Sequence, residues 1–328
     1  MTADCAIIIR AYNEEQHIGR LLSGIRQQTL QPAQVVLVDS GSTDATVAIA
    51  SQFGVEVVHI QPQEFTFGRS LNLGIAQART SFIVIASAHV YPVYPDWLER
   101  LLAPFEDSQV ALVYGKQRGV STSQFSEQQI FKRWFAEQDI PRQGHPFCNN
   151  ANAAIRLSLW RKHPYDENIP ALEDLAWAKW AFEQGYSISY AAEAEIIHIH
   201  NESSRGTYNR YRREGMAFKQ IYPDAAFSLW DVARLWFVNC ASDLAEARRL
   251  GMAARVWRDI LSFRWFQFWG TFQGYRQSGH MTARLRESFY YPLEPKRSSE
   301  KTTRNVSPIR YTESVKDPGE RKEEAAGC

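Results

Sequence analysis

Short apolar runs alternate with amphipathic stretches through the first 115 residues, and this alternation predicts an α/β fold. Each apolar run ends at polar turn residues, which is typical of buried parallel strands joined by helices. The pattern predicts five strands, at residues 5–9, 34–39, 55–60, 82–86 and 110–114. It predicts three helices between them, at residues 14–28, 44–53 and 67–78. We therefore expect a doubly wound sheet with helices on both faces, parallel over these residues and parallel or mixed as a whole.

The order of elements becomes mixed from residue 124 onward. The pattern predicts a helix, a strand, a second helix and two short strands, at residues 124–138, 151–155, 174–184, 187–190 and 195–200. Residues 208–290 have the spacing of amphipathic helices, and the tail is charged and poor in apolar residues, which predicts disorder. We expect three parts, a main domain, a helical segment and a disordered tail, at residues 1–205, 206–292 and 293–328.

Composition adds a charge asymmetry to this division. The net charge of the 328 residues is +1, but residues 1–202 carry 15 Lys and Arg against 22 Asp and Glu. Residues 203–286 carry 14 basic against 6 acidic residues and hold five of the ten tryptophans. Arginine and tryptophan on amphipathic helices suit an anionic membrane surface, and they also suit a nucleic-acid patch. The four cysteines form no Cys-x-x-Cys pair, which favours a reducing compartment.

Polar residues follow the predicted strands at one edge of the sheet, where open α/β folds bind ligands. The segment 10–15 follows the first strand, Asp39 ends the second and Ser87-Ala88-His89 follows the fourth. No Gly-x-Gly-x-x-Gly or Walker motif is present, which weakens the case for a dinucleotide or triphosphate site of the usual kind. The three polar strand ends instead fit a nucleotide that lies across the sheet. Asp39 would accept from a pyrimidine N3–H with Tyr12 near the base, and Asp44 or Thr43 would cap the next helix.

Five blocks in chain order resemble family 2 glycosyltransferases with the GT-A fold, and in particular bacterial rhamnosyltransferase-like members: AYNEE, VDSGSTDAT, FGRSLNLGIAQAR, VYGKQ and ALEDLAWAKWAFEQGYSISY. The resemblance implies an inverting transferase that uses a nucleoside-diphosphate sugar of the UDP or dTDP type. The main domain would then be catalytic, and the acceptor would be a glycan or a lipid-linked glycan of a bacterial surface polysaccharide. The resemblance also implies a donor site made of Tyr12, Asn13, Glu14, Asp39, Ser42, Asp44, Arg69, Asn72, Ser87 and His89.

The chain departs from the family pattern after the fourth strand. The usual Asp-x-Asp, which binds a divalent ion, is replaced by Ser87-Ala88-His89. Oxygen ligands suit Mg²⁺ or Mn²⁺ better than an imidazole and a hydroxyl do. Two arrangements remain open: His89 ligates a metal together with His198 or His200, or His89 and Arg69 bind the diphosphate directly. The two distant histidines, which alternate on one strand face, also suit an exposed strand without a ligand.

The resemblance places the acceptor side of the site at Glu173-Asp174, which opens a predicted helix. Asp174 is the expected general base, because the reaction needs one carboxylate to remove the acceptor hydroxyl proton. Both acids also suit the first turn of any helix, where the dipole favours negative charge. We expect acceptor contacts from Trp177, Asn150 and Asn152.

These expectations define a cytoplasmic transferase at the inner face of the cell membrane, with the basic helices held against the lipid. The alternatives are helices packed on the catalytic domain or in a dimer, and a catalytically silent protein that binds sugar nucleotides or glycans. Nucleic-acid binding lacks a recognised module, and we do not expect it.

Overall fold

The computed structural model describes residues 2–120, 123–199, 202–277 and 309. Its described strands are β1 (Thr2–Ala11), β2 (Gln31–Asp39), β3 (Glu56–His59), β4 (Phe82–Ser87), β5 (Val90–Pro92), β6 (Val110–Arg118), β7 (Asn152–Arg156) and β8 (Ser187–His198). Its described helices are α1 (Ile18–Arg26), α2 (Thr46–Ser51), α3 (Phe67–Ile75), α4 (Trp97–Leu102), α5 (Phe125–Trp134), α6 (Leu157–Lys162), α7 (Glu173–Glu183), α8 (Ser204–Ile221), α9 (Leu229–Arg249) and α10 (Ala253–Tyr275).

The described strands form one mixed sheet in the order β3-β2-β1-β4-β7-β6-β8-β5. The first four strands predicted from the sequence are parallel neighbours, as expected. The sequence allowed a parallel or a mixed sheet, and the sheet is mixed, because β7 lies between β4 and β6 and runs antiparallel to both. The two short strands predicted at 187–190 and 195–200 are one strand, β8, which pairs with β6 and with the unpredicted β5.

The sheet carries a hydrophobic layer on each face, which explains why its central strands are apolar without interruption. On β1, Ile7 and Ile9 pack toward α1, α2 and α4, whereas Ile8 packs toward α3, α6 and α7. Gly74 belongs to α3 because this helix lies so close to the sheet: a Cβ there would meet Ile8 Cγ2 at 2.6 Å. Gly74 therefore allows this short distance between the helix and the sheet.

The predicted helical segment appears as α8, α9 and α10, and these helices pack on the first part of the chain through α5. A buried ion pair joins Arg264 of α10 to Asp243 of α9 at 2.8 Å, and Asp243 also accepts from the Ser126 hydroxyl of α5. The predicted continuation to residue 290 and the predicted disordered tail lie outside the described residues, apart from Ile309. Within the described part of the chain, no helix has the length and apolar character that crossing a membrane requires.

Candidate active site

A cavity of about 670 Å³ opens at the carboxyl edge of β1 and β4. One wall comes from the ends of these strands and from the start of α7, and the opposite wall comes from α5 and α8. Apolar side chains of α5, including Phe131 and Trp134, share the lining with the carboxylates Glu173 and Asp174. The cavity is therefore composite, and the helical segment that follows β8 supplies part of it.

The two acidic residues expected on the acceptor side lie together at the first turn of α7. Both are buried, with 5% of Glu173 and 8% of Asp174 exposed. Leu172, immediately before them, has φ of 57°, which places a non-glycine residue in the sparsely populated left-handed region. Such backbone strain persists where the surrounding structure over-determines a conformation, and it often accompanies functional sites.

Hydrogen bonds orient the two carboxylates differently. Glu173 Oε1 accepts from Arg10 Nη1 at 3.2 Å and from Asn150 Nδ2 at 3.3 Å. Asp174 accepts from two backbone N–H groups, those of Asn150 at 2.9 Å and Leu175 at 2.8 Å. Glu173 is thus held by side chains, whereas Asp174 is fixed by the backbone and faces the cavity.

The environment of Asp174 disfavours its charged form. Burial, and next the neighbouring Glu173 carboxylate, raise the pKa of Asp174 to about 7, against the lowering effect of its backbone hydrogen bonds. Two neighbouring groups are also shielded from water: burial raises the pKa of the Cys148 thiol and of the Tyr165 hydroxyl. A carboxylate with a pKa near 7 can take up a proton at physiological pH, as a general base must.

The loops that follow β1 and β2 carry expected donor-side residues, and hydrogen bonds link the two loops. The backbone N–H of Asn13, whose φ is 52°, donates to Ser42 Oγ at 2.9 Å, and Asn13 Oδ1 accepts from Thr43 N at 2.8 Å. Asp44 accepts from the backbone N–H of Glu15 at 3.0 Å. Tyr12, Asn13 and Glu14 line the cavity, while Ser42 and Asp44 lie behind them and fix their conformation.

Asp39 occupies the expected position at the end of β2, beside Ala11. It is 2% exposed, and its carboxylate accepts from the backbone N–H groups of Gly41 and Ser42, each at 3.2 Å. His59 Nδ1 lies 3.3 Å from the same carboxylate. Asp39 therefore shapes the turn after β2 in this structure and does not line the cavity.

The expected cap of the following helix is present as a hydrogen bond. The helix α2 begins at Thr46, so Ala45 occupies the N-cap position and supplies no side-chain cap. The carboxylate of the preceding residue, Asp44, accepts from the backbone N–H of Thr46 at 3.0 Å. Asp44 therefore satisfies a donor of the first turn, one position before the observed N-cap residue.

Ser87 and His89 line the cavity at the end of β4, as the sequence predicts. His89 Nδ1 lies 2.7 Å from Glu14 Oε1, and its ring stacks on that of His198 at 5.1 Å. His198 Nδ1 lies 2.8 Å from Gln117 Oε1. The structure thus brings His89 and His198 together, whereas His200 lies outside the described residues.

This edge does not fit a divalent ion of the Mg²⁺ or Mn²⁺ type. Within the described part of the chain no group of three or more His, Cys, Asp or Glu side chains is arranged to hold a metal. Both imidazoles already have Nδ1 partners, and Ser87 supplies a neutral hydroxyl where oxygen-binding ions prefer carboxylates.

Arg69 and Asn72, expected near the diphosphate, lie outside the cavity lining. Arg69 pairs with Glu167 at 3.4 Å and Glu64 at 3.5 Å. The Asn72 amide has four partners: it donates to Tyr165 O and Glu167 Oε1 and accepts from Trp160 Nε1 and Tyr165 N. Gly68 allows close approach of the chain at 166–167, since a Cβ there would meet Asp166 O at 2.3 Å. This block clamps α3 to the loop before α7.

Two of the three residues expected to contact the acceptor are structural. Trp177 is 1% exposed and donates to the His163 carbonyl at 2.7 Å, so it cannot serve as a platform for a sugar. Asn152 is fully buried in β7, where it donates to the carbonyls of Lys116 and Ala194 and accepts from Trp97 Nε1. Asn150 does line the cavity, and it contacts both acids of α7.

Sequence reasoning missed the residues that α5 and α8 contribute. Arg210 of α8 is half-buried and bonds Glu127 of α5 at 2.7 Å and Glu202 at 2.8 Å. Arg10 of β1 lies 4.6 Å from the centroid of the Phe67 ring, and Arg213 of α8 lies 4.9 Å from it. Arg10 was visible as a polar residue at a strand end. The contributions of α8 depend on tertiary packing, for which helical spacing gives no signal.

Comparisons with known proteins agree with this geometry. Residues 6–163 match the family model of glycosyl transferase family 2. The O-antigen chain rhamnosyltransferase RfbN of Salmonella typhimurium is 28% identical over 225 residues, which cover 64% of this chain and 71% of that protein. The O-antigen chain rhamnosyltransferase WbaN of Salmonella anatum is 31% identical over 205 residues, which cover 58% of this chain and 64% of that protein.

One similar solved structure is the mannosyltransferase PcManGT from Pyrobaculum calidifontis, in complex with GDP-Man and Mn²⁺. The TM-score is 0.57 with 18% identity, over 84% of this chain and 87% of the other. At this identity the likeness shows a shared fold.

Proposed function

Because residues 6–163 of this chain belong to glycosyl transferase family 2, we propose that the protein is an inverting enzyme that transfers a sugar from a nucleoside diphosphate to a glycan or lipid-linked acceptor. The family and the GT-A fold expected from the sequence are confirmed, and the chain is a nucleotide-sugar-dependent glycosyltransferase. Two of its relatives are named O-antigen chain rhamnosyltransferases, which supports a role in a bacterial surface polysaccharide.

One observation carries the catalytic assignment: Asp174 is a buried carboxylate that faces the cavity and has a pKa of about 7. Glu173 is engaged by Arg10 and Asn150, so its role is to hold the site and to raise the pKa of its neighbour. This division of labour between two adjacent carboxyl groups favours Asp174 as the general base.

The proposed reaction is a single displacement. Asp174 accepts the proton of the acceptor hydroxyl, whose oxygen forms a bond to the anomeric carbon of the donor sugar. The bond between that carbon and the diphosphate oxygen breaks on the opposite face, and the nucleoside diphosphate leaves with the electron pair. The configuration at the anomeric carbon inverts because one displacement takes place.

We place the donor at the edge formed by Tyr12, Asn13 and Glu14, next to Ser87 and His89. Asp39, Ser42 and Asp44 would support donor binding indirectly, because their side chains accept hydrogen bonds from the backbone of these loops and fix its conformation. His89, oriented by Glu14, is the expected contact to the diphosphate. The acceptor would enter from the side of Asn150 and the wall of α5 and α8.

The names of the relatives support rhamnose as the transferred sugar, and hence a donor of the UDP or dTDP type. PcManGT was solved in complex with GDP-Man and Mn²⁺, so GDP and a divalent ion are the comparison ligands for a test of donor binding. A lipid-linked acceptor would place the enzyme at the inner face of the cell membrane.

Thermal melting with nucleoside diphosphates tests the donor site. We expect UDP or dTDP to raise the melting temperature by several degrees at 100 times its dissociation constant, where binding adds about 2.7 kcal/mol. GDP, and uridine without phosphate, serve as matched comparisons. Each ligand is measured with Mn²⁺ and with a chelator, and we expect the shift to survive chelation because the carboxylate pair of a metal site is absent at Ser87 and His89. The absence of a shift with every nucleotide would contradict the proposal.

A further inference from the structure

The helical hairpin of α9 and α10 carries large apolar side chains on its outer surface. Four of them form a broad stripe on α9: Trp230 and Phe237 lie two turns apart on one line of the helix, and Leu229 and Val238 flank them on either side. Their exposed fractions run from 55% for Val238 to 72% for Trp230. We call these four residues the α9 stripe. Single exposed apolar residues are ordinary, but a clustered set on one helix face marks an interaction surface.

The exposed charges of the same hairpin have nearly one sign. Among the described residues of α9 and α10, together with Arg276 that follows, the exposed charged side chains are one acid, Asp259, and six arginines: Arg234, Arg248, Arg249, Arg255, Arg258 and Arg276. Two acids of α9, Asp231 and Glu246, are half-buried and pair with Arg234 and Arg249. Arg234 lies on α9 one turn from both Trp230 and Phe237. Trp257 and Trp265 of α10 add exposed aromatic rings. The surface is therefore apolar and cationic at once.

We infer that the α9 stripe and the surrounding arginines dock on an anionic lipid surface. Aromatic and aliphatic side chains enter the headgroup boundary, and arginines pair with lipid phosphates. A helix that lies in the interface in this way has no need to cross the bilayer. The inference rests on the proposed function in one respect, since the docked enzyme would reach a lipid-linked acceptor.

Two other occupants fit the surface less well. A second copy in a symmetric contact would place the same arginines opposite one another, and like charges oppose association. The residues 293–328 of this chain carry 8 Lys and Arg against 7 Asp and Glu, so they do not complement a cationic surface.

Other apolar side chains of the hairpin are buried inside it. Phe268 and Phe272 of α10 are buried against Val232 of α9. Trp236 is half-buried in the hairpin and donates to the Leu261 carbonyl at 3.2 Å. The outer surface therefore includes the α9 stripe, which helical periodicity alone did not single out.

Vesicle flotation tests the inference with the full-length protein. One vesicle population is phosphatidylcholine alone, and the other contains equal parts of phosphatidylcholine and phosphatidylglycerol. We expect binding to the anionic vesicles, weaker binding to the neutral ones, and release as the salt concentration rises. The double substitution Trp230→Ser with Phe237→Ser should weaken binding by at least about tenfold, since each ring loses its apolar burial. Arg248→Gln with Arg255→Gln should weaken binding to the anionic vesicles by roughly 25-fold, about fivefold for each arginine.

The matched control is Phe182→Ser, which removes an exposed ring from α7, outside the hairpin. It should leave flotation unchanged. Melting temperature and the nucleotide-induced shift, measured on every variant, separate loss of docking from loss of fold. If wild-type protein shows no nucleotide shift but still floats, the proposed function fails and the docking surface stands.

Three outcomes would overturn the inference. The first is equal flotation of the wild type and the Trp230→Ser, Phe237→Ser variant. The second is a dimer, seen by light scattering, that this variant dissolves while vesicle binding is absent throughout. The third is vesicle binding that appears only when residues 278–328 are deleted, which would make that segment the occupant.

Discussion

At the scale of single residues, the site depends on how two adjacent acids are treated differently. Glu173 receives hydrogen bonds from Arg10 and Asn150, so its negative charge is compensated. Asp174 has only backbone donors, and burial together with the Glu173 charge raises its pKa. The same chemical group thus serves as an anchor at one position and as a proton acceptor at the next.

The raised pKa of Asp174 predicts a dependence of stability on pH. The folded state holds this proton up to about pH 7, whereas the unfolded chain releases it near the ordinary value of 3.8. The stabilisation is therefore complete below the unfolded pKa and is lost as pH rises through the folded pKa. Asp174→Asn, which cannot ionise, should gain stability relative to the wild type between pH 5 and pH 8, by about 1–3 kcal/mol.

Urea unfolding at the two pH values checks this. The control is Asp107→Asn. The side-chain hydrogen bond from Arg142 lowers the pKa of that exposed carboxylate, so this substitution should change the pH dependence of stability only in more acidic solutions. A difference between Asp174→Asn and the wild type that is the same at pH 5 and pH 8 would show that the Asp174 pKa is not raised.

Residue roles were predictable where the chemistry is local. The position of Asp39, Ser87 and His89 at strand ends follows from the apolar runs before them, and the structure puts them there. Trp177 and Asn72 could not be judged in this way. The burial of Trp177 against Tyr165 and the four hydrogen bonds of the Asn72 amide depend on segments that are distant in sequence. A polar or aromatic residue beside a motif can therefore have a structural role.

At the scale of elements, the contact between α8 and α10 depends on glycines. A Cβ at Gly274 of α10 would meet Arg212 O at 2.2 Å, and one at Gly270 would meet Tyr208 O at 2.6 Å. On α8, a Cβ at Gly215 would meet Thr271 O at 2.7 Å. The helices therefore approach until their backbones touch, and this fixes α8 in the wall of the cavity.

Gly274→Ala should consequently lower the free energy of unfolding by about 1–3 kcal/mol, since an added methyl group in a tight contact forces the backbones apart. Because α8 moves with it, nucleotide or acceptor binding should also weaken. The control is Gly144→Ala, where a Cβ would meet nothing within 4 Å, and its effect should stay within about 0.5 kcal/mol. Equal stability of the two variants in urea unfolding would refute the close packing.

Element types were more predictable than element partners. Helix α7 and the strands β1, β2 and β4 lie close to their predicted positions, because long apolar or amphipathic runs report burial directly. The antiparallel insertion of β7 between β4 and β6 has no signal in the sequence, since a strand buried on both faces looks the same in either direction.

At the scale of the whole molecule, the helical segment completes the site. Half-buried Arg210 of α8 pairs with the buried Glu127 of α5, and Arg264 of α10 is the buried partner of Asp243. Removing one member of such a pair leaves a buried charge without compensation. The cavity is lined by residues on both sides of position 205, where the sequence predicts a domain boundary. That boundary remains a prediction.

One measurement tests the central claim most directly. Release of nucleoside diphosphate from UDP-, dTDP- and GDP-sugars is followed for the wild type and for Asp174→Asn, with nucleotide binding measured in parallel. The account predicts that Asp174→Asn binds the preferred nucleotide like the wild type and releases it about 10²–10⁴ times more slowly, since a general base contributes that much. Wild-type release should increase with pH through about 7. Equal release rates for the two proteins would contradict the account, and binding without release by the wild type would identify a catalytically silent protein of the same fold.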